Sequence, residues 1–418
     1  MHEISITVPM KILILTDEIY PDGVSGVAKS VYNECVALVR LGHEVTVFAR
    51  SVKKDALVEE TIAGFRLKRF FQVERRNRFY HLYPLAILYY TSCFLYKPQQ
   101  GIDILYIHNP LYILPIIWLR LFNRTPVVYM FHASMAEEIR ISAQANKYGK
   151  RTWFAKQIAA LISVIERWGF SYADIILPRS QYTNLTLRRL YPHLERLVAD
   201  VIPLGVDTAE YTLGSQDFAR DQLNLPHDHP ILITVRRLEG RMGLQNLIEA
   251  IRSIHQQYPN VLLLIVGKGH LRESLEALVK KYQLESNIRF MGFVSEEDLP
   301  QYLAAADLFV LPTEQLEGFG LATIEALAVG LPVMGTPVGA TPEILSLIDL
   351  SLLTSDATPE AIGRTLIYWL QQPEKIKVLN KRSREVVEEY YNSDLIAAQL
   401  ATLFNKQIQK HINSLLDT

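Results

Sequence analysis

Cysteine is scarce: Cys35 and Cys93 are the two in 418 residues. A secreted chain of this size would more often carry bridges, so a reducing compartment is expected. No apolar run reaches the roughly 18 residues that a membrane-spanning helix needs. The opening MHEISITVPMKILILT lacks a basic stretch, a long apolar core and a small-residue cleavage site. It reads as a short leader into a first strand rather than as a signal peptide. There is no low-complexity segment and no short repeat. No Gly-x-Gly-x-x-Gly follows the first strand, which argues against a nicotinamide-dependent oxidoreductase. No recognised nucleic-acid motif is present either.

What is present is a soluble composition, 49% hydrophobic and 21% charged, on a chain long enough for two domains of about 200 residues. The net charge of -1 conceals an asymmetry. Residues 1–200 hold 25 Lys and Arg against 17 Asp and Glu, which leaves 18 against 27 for the remainder. A basic first half and an acidic second half imply different partners. Short apolar runs alternate with amphipathic ones in both halves, which predicts α/β with parallel sheets. KILILT (11–16), EVTVFA (44–49), DILYIH (103–108), PVVYMFH (126–132) and ADIILP (173–178) are the strands of the first half. PILITV (230–235), VLLLIVG (261–267), NIRFMGF (287–293), ADLFVLP (306–312) and LPVMGT (331–336) are those of the second. The expected division is 1–200, 201–392 and a last helical segment, 393–418, packing back toward the first domain. Two doubly wound domains facing across a cleft would bind ligands beyond the carboxyl ends of their strands.

The most informative stretch is EGFGLATIE, Glu317 to Glu325. It lies between a strand and a helix, and backbone N–H groups at a helix entrance are unsatisfied and suit a phosphate. Gly318 and Gly320 let the backbone approach a ligand closely. Glu325, in the second helical turn, suits a vicinal diol such as that of ribose, and Glu317 suits the hydroxyls of a sugar, because charge-assisted hydrogen bonds are the stronger ones.

EGFGLATIEALAVGLPV resembles the E-x7-E signature of retaining GT-B glycosyltransferases, in particular glycosyltransferase family 4. The resemblance implies two Rossmann-like domains and a nucleotide-sugar donor held by Glu317, Gly318, Phe319, Gly320, Leu321 and Glu325. VRRLEGRMGLQNLIEAI (235–251) is similar to the family's Arg-Leu-x-x-x-Lys-Gly segment, whose cations hold the donor diphosphate. Arg237 falls on the Arg position, but Met242 stands where the family has Lys, with Arg241 beside it as the expected substitute. VGKGHLRESLEALV (266–279) looks like the family's Gly-x-Gly turn. Val294 lies in the segment that packs around the base. In the first half, YPDGVSGVAKSVYNECVALVRLGHEVTV resembles the Gly-rich first loop. Ser25-Gly26 replaces the usual Gly-Gly, so Gly26 would meet the distal phosphate. VVYMFHASM places His132 where the family has a His near the donor sugar, while His108 is expected to be structural.

The resemblance thus implies a retaining hexosyltransferase acting on a nucleotide sugar and a glycan, lipid-linked or small-molecule hydroxyl, with Glu317, Arg237 and His132 as catalytic residues. With no Asp-x-Asp in the chain, no metal or other cofactor is expected, and cations and amides stabilise the leaving group. The competing readings are a non-catalytic nucleotide-sugar-binding member, which Met242 favours, and a GT-B phosphorylase. Two basic-aromatic stretches, 64–97 and 147–162, suit an anionic lipid surface, so the expected location is the cytoplasm, peripheral on the inner face of the membrane.

Overall fold

The computed structural model describes residues 8–51, 57–70, 83–96, 101–119, 125–144, 149, 152–212 and 214–416. They form two compact units, one of residues 1–205 with 393–418 and one of residues 206–392. The chain leaves the first unit after Gly205, five residues beyond the expected boundary.

In the first unit the elements run β1 (Lys11–Thr16), α1 (Gly26–Arg40), β2 (Glu44–Arg50), β3 (Glu59–Ile62), β4 (Phe65–Phe70), α2 (Tyr83–Tyr96), β5 (Ile104–Ile107), α3 (Ile113–Leu119), β6 (Val127–Phe131), α4 (Met135–Gln144), α5 (Thr152–Phe170), β7 (Ile175–Pro178) and α6 (Gln181–Leu190). The strands form one sheet in the order β3-β4-β2-β1-β5-β6-β7, parallel apart from the β3–β4 pair. Both faces of this sheet are covered, so its strands are apolar throughout. Ile12 and Ile14 of β1 pack with Val31, Cys35 and Leu38 of α1 on one face. Leu13 and Leu15 pack with Ile107, Phe131 and Phe170 on the other. Ser25 accepts from the Ala28 amide and caps α1, and Gly42, at φ 87°, takes the left-handed turn into β2.

The second unit comprises α7 (Gln216–Gln222), β8 (Ile231–Val235), α8 (Leu244–Ile254), β9 (Leu262–Val266), α9 (Arg272–Lys281), β10 (Ile288–Gly292), α10 (Leu299–Ala304), β11 (Leu308–Leu311), α11 (Leu321–Ala328), β12 (Val333–Gly335), α12 (Thr341–Leu345), α13 (Pro359–Leu370) and α14 (Pro373–Val386). Its parallel sheet has the order β10-β9-β8-β11-β12. The order reverses between β8 and β11, and in such sheets a crevice opens where it reverses. A last helix, α15 (Ser393–Leu416), belongs to the first unit, where Ile396, Leu400 and Phe404 join the core around α1.

The stretch 64–97 is not a single membrane face. Phe65, Leu67 and Phe70 of β4 are buried. Arg69 is buried as well and pairs with Asp22 and Glu60, so it cannot serve a lipid headgroup. Residues 71–82, including Arg75, Arg76, Arg78, Phe79 and Tyr80, lie outside the described residues, as do Lys147, Lys150 and Arg151 of the second stretch. No helix among the described residues is long and apolar enough to cross a membrane.

Phe404 is fully buried in a core built from distant parts of the chain. Replacing it with Ala should lower the stability of the first unit by about 3–5 kcal/mol. The measurement is the urea midpoint, and an unchanged midpoint would show that α15 is dispensable.

Candidate functional site

The loop between β11 and α11 is pinned from three directions. Thr313 Oγ1 donates to Glu317 Oε2 at 3.0 Å, and Arg236 Nη2 donates to the same oxygen at 2.7 Å. The Glu317 carbonyl accepts from the Ala340 amide at 2.9 Å. A Cβ on Gly339 would stand 1.9 Å from that carbonyl. Arg241 holds the loop from its other side, its Nη1 donating to the Leu316 carbonyl at 2.7 Å and its own carbonyl accepting from the Glu314 amide at 3.0 Å. Leu316, at φ 56°, adopts a left-handed conformation that costs a non-glycine residue roughly 1–3 kcal/mol. The clamp offsets that cost. Gly320, at φ 92°, then turns the chain into α11, and a Cβ there would meet Thr323 Oγ1 at 3.0 Å and Glu317 Oε1 at 3.6 Å. A carboxylate oxygen, a threonine hydroxyl and the open amides of an eight-residue helix are therefore gathered at one point.

Arg236 leaves the end of β8 directly opposite this loop, and 6% of its side chain is exposed. Its Nη2 also touches the Met242 sulfur at 3.0 Å, a weak acceptor. Its Nε and Nη1 are buried with no hydrogen-bond partner. Each buried donor left in this way costs about 1–3 kcal/mol. Farther along α11, Glu325 is buried. It lies close enough to Tyr211 to help raise that phenol's pKa, after burial itself, and Tyr211 in turn donates to Glu296 at 3.3 Å. The loop carrying Val294 and Glu296 thus belongs to the surroundings of Glu325.

In the first unit, β5 and β6 end side by side with His108 and His132. His108 Nδ1 and His132 Nε2 share a hydrogen bond of 3.0 Å. Burial, then the Arg179 guanidinium, pushes His132 down to about 3. Burial, His132 and Arg179 depress His108 well below the usual histidine range. Arg179 is itself buried and bonds to Glu34 and to the Tyr106 hydroxyl. The result is a pair of neutral imidazoles.

Comparison with known proteins decides what these parts belong to. Residues 24–210 match the profile of Glycosyltransferase Family 4, and residues 215–386 match that of Glycosyl transferases group 1. The chain belongs to glycosyltransferase family 4. Among its relatives is the alpha-monoglucosyldiacylglycerol synthase of Acholeplasma laidlawii, 24% identical over 406 residues, with 94% of this chain and 96% of that protein covered. Another is a GDP-mannose-dependent monoacylated alpha-(1-6)-phosphatidylinositol monomannoside mannosyltransferase of Corynebacterium glutamicum, 27% identical over 56% of this chain and 62% of that one. The chain spans about three-fifths of the length of several curated relatives it matches. The sucrose-phosphate synthase of Thermosynechococcus elongatus has the same fold, with a TM-score of 0.80 at 23% identity over 96% of this chain and all of that one. Two Rossmann-like units of the GT-B type are therefore shown.

Against the family pattern, the structure gathers Glu317, Gly318, Gly320, Leu321 and Glu325 around the β11–α11 junction. Phe319 is buried and meets the Tyr391 ring edge-on at 5.6 Å, which makes it an anchor of the loop. Arg237 points elsewhere: it is 52% exposed and lies 3.7 Å from Glu239. Arg236, one residue earlier, is the arginine that reaches Glu317, and the family alignment passed over it. The signal that could have found it is the doubled arginine on leaving β8, where alternation sends one side chain inward and the next outward. Gly26 opens α1 with nothing within 4 Å of its Cβ position, so its surroundings do not demand glycine. The glycines of the Gly-x-Gly turn have a steric reason. Cβ atoms on Gly267 and Gly269 would stand 1.8 Å and 2.3 Å from the carbonyls of Arg236 and Leu238.

Neutral His108 and His132 make the first unit sensitive to acid. Unfolding releases both to an ordinary value near 6.5, so below that pH the unfolded chain binds more protons and stability falls as pH is lowered. Stability should level off above about pH 6.5 and decline from there to about pH 5, before most carboxylates titrate. Replacing His132 with Gln should flatten that decline in urea melts across pH, and an unaltered slope would refute the assignment.

Proposed function

We propose that the protein is a retaining, metal-independent glycosyltransferase that moves a hexose from a nucleotide-diphosphate sugar to a hydroxyl of a glycan or a lipid-linked acceptor. The observation that carries this reading is the β11–α11 junction. There Glu317 is fixed by Thr313 and Arg236, the amides of α11 stand open beyond Gly320, and Glu325 lies buried farther along the same helix. Both protein donors to Glu317 reach Oε2, so Oε1 accepts from a hydroxyl of the sugar. Glu325 accepts from the ribose diol, and the diphosphate between them lies against the helix entrance. The proposed contacts of the first unit are the Gly26 amides, for a phosphate, and His132, for a sugar hydroxyl.

In the proposed step the bond from the anomeric carbon to the phosphate oxygen breaks as the bond to the acceptor oxygen forms on the same face. The acceptor's proton passes to the departing phosphate, and a nucleoside diphosphate leaves. Charge accumulates on that diphosphate. Donors already aimed at it act without reorganising, which is usually the largest catalytic contribution.

The surface of α5 supports a lipid-linked acceptor at the cytoplasmic face of a membrane. Trp153, Phe154, Ile158, Leu161, Val164 and Trp168 recur at helical spacing, and each is 51–63% exposed. Lys156 and Arg167 on the same helix are also exposed. Rings and aliphatic chains at the acyl boundary, with cations at anionic headgroups, match this face. The names of both relatives above refer to lipid-linked sugars.

Three measurements test the reading. In a thermal-shift panel of nucleoside diphosphates and their sugars, the matching one at 100 times its Kd should stabilise the protein by about 2.7 kcal/mol; silence across the panel would sink the donor assignment. Glu317→Ala should reduce turnover by about 10²–10³-fold, whereas release of sugar phosphate from a disaccharide and inorganic phosphate, without any nucleotide, would instead establish a phosphorylase. Vesicles containing anionic lipid should retain the wild type at low salt, and Leu161→Glu with Trp168→Glu should release it; equal retention of both would remove α5 from the membrane.

A further inference from the structure

Arg236 is a buried cation with too few partners. Its guanidinium carries five N–H groups. One nitrogen, Nη2, meets a carboxylate oxygen and the poor acceptor Met242 Sδ. The other two, Nε and Nη1, are buried without any acceptor. A guanidinium is weakly hydrated and presents its donors as a planar fork that matches phosphate geometry. Unsatisfied donors on such a fork, held beside the α11 entrance, ask for an anion with several oxygens. The backbone beneath is rigid: the Arg236 amide donates to the Val266 carbonyl at 2.9 Å. Gly267, at φ 136°, leaves room for the Arg236 carbonyl where a Cβ would stand 1.8 Å away.

We propose that Arg236 is the cation that receives the diphosphate of the donor in this chain, through Nε and Nη1, while Nη2 stays on Glu317. This deepens the donor reading above and rests on it. It changes the assignment of the neighbouring residues. Arg241 is a positioning residue, because its Nη1 serves the Leu316 carbonyl and its backbone serves Glu314. Arg237, half exposed beside Glu239, is subordinate. Met242 is tolerated because its sulfur lies 3.0 Å from Arg236 Nη2, so the charge that a lysine there would supply arrives from the other side.

The geometry also predicts a rescue. An ammonium on residue 242 would lie where the guanidinium now ends, so Arg236→Met combined with Met242→Lys restores a cation at the same point. The experiment measures the affinities of UDP, GDP and ADP against those of uridine, guanosine and adenosine, together with turnover, for four proteins: wild type, Arg236→Met, Arg236→Met with Met242→Lys, and Arg237→Ala. For the nucleotide that binds wild type, Arg236→Met should abolish most of the preference for diphosphate over nucleoside and lower turnover 10²–10³-fold. The double variant should regain at least about tenfold, which a protein damaged only in its folding would not do. Arg237→Ala should cost less than Arg236→Met. If wild type binds a nucleoside diphosphate and Arg236→Met keeps the full preference, or Arg237→Ala proves the more damaging, the proposal fails and the donor reading stands. If wild type prefers no diphosphate, the donor reading fails first.

Discussion

One carboxylate oxygen organises the second unit. Glu317 Oε2 takes both the Arg236 guanidinium and the Thr313 hydroxyl, and each of those donors comes from the end of a different strand, β8 or β11. A buried ion pair of this kind is weak evidence for stability, because desolvation offsets much of its attraction. Its consequence is orientation. The bond fixes where the carboxylate points and holds the guanidinium beside the α11 entrance. It also keeps the left-handed Leu316 loop in its one conformation. Gly339, Gly267 and Gly320 make the arrangement possible, since a side chain on the first two would collide with the backbone of Glu317 or Arg236, and Gly320 needs a positive φ.

Strand order explains why these residues meet. In the second unit the sheet reverses between β8 and β11, so the chain segments leaving those strands diverge to opposite faces and leave their first residues side by side. In the first unit β5 and β6 are neighbours, which juxtaposes His108 and His132. The two units use opposite electrostatics. The second presents a charged guanidinium with donors to spare, while the first presents imidazoles kept neutral by burial and by Arg179. Neutral imidazole suits a hydroxyl, and guanidinium suits a phosphate.

The exposed face of α5 is of a different kind. Its apolar residues face away from the core, while Ala155, Ala159, Gly169 and Phe170 on the opposite side are buried. Glu166, also on the buried side, accepts from Ser134, Tyr191 and the Met135 amide at the start of α4. The helix is therefore held by its small and polar side and displays its large apolar one, the reverse of an ordinary surface helix.

Local pattern was enough to read the parallel strands, the β11–α11 junction and the acids that flank it. Those features depend on period, on glycines that must turn, and on spacing along one strand-loop-helix segment. The antiparallel strand β3 and its partner β4 escaped notice, because the charges of Arg66, Lys68 and Arg69 read as a solvated patch. Pairing of Arg69 with Asp22 and Glu60 hides one of those charges in the fold. Likewise, two consecutive arginines after β8 are indistinguishable in sequence. Which of them meets Glu317 was decided by an acid 81 positions away, since a side chain's charge is set by its identity but its partner is set by packing.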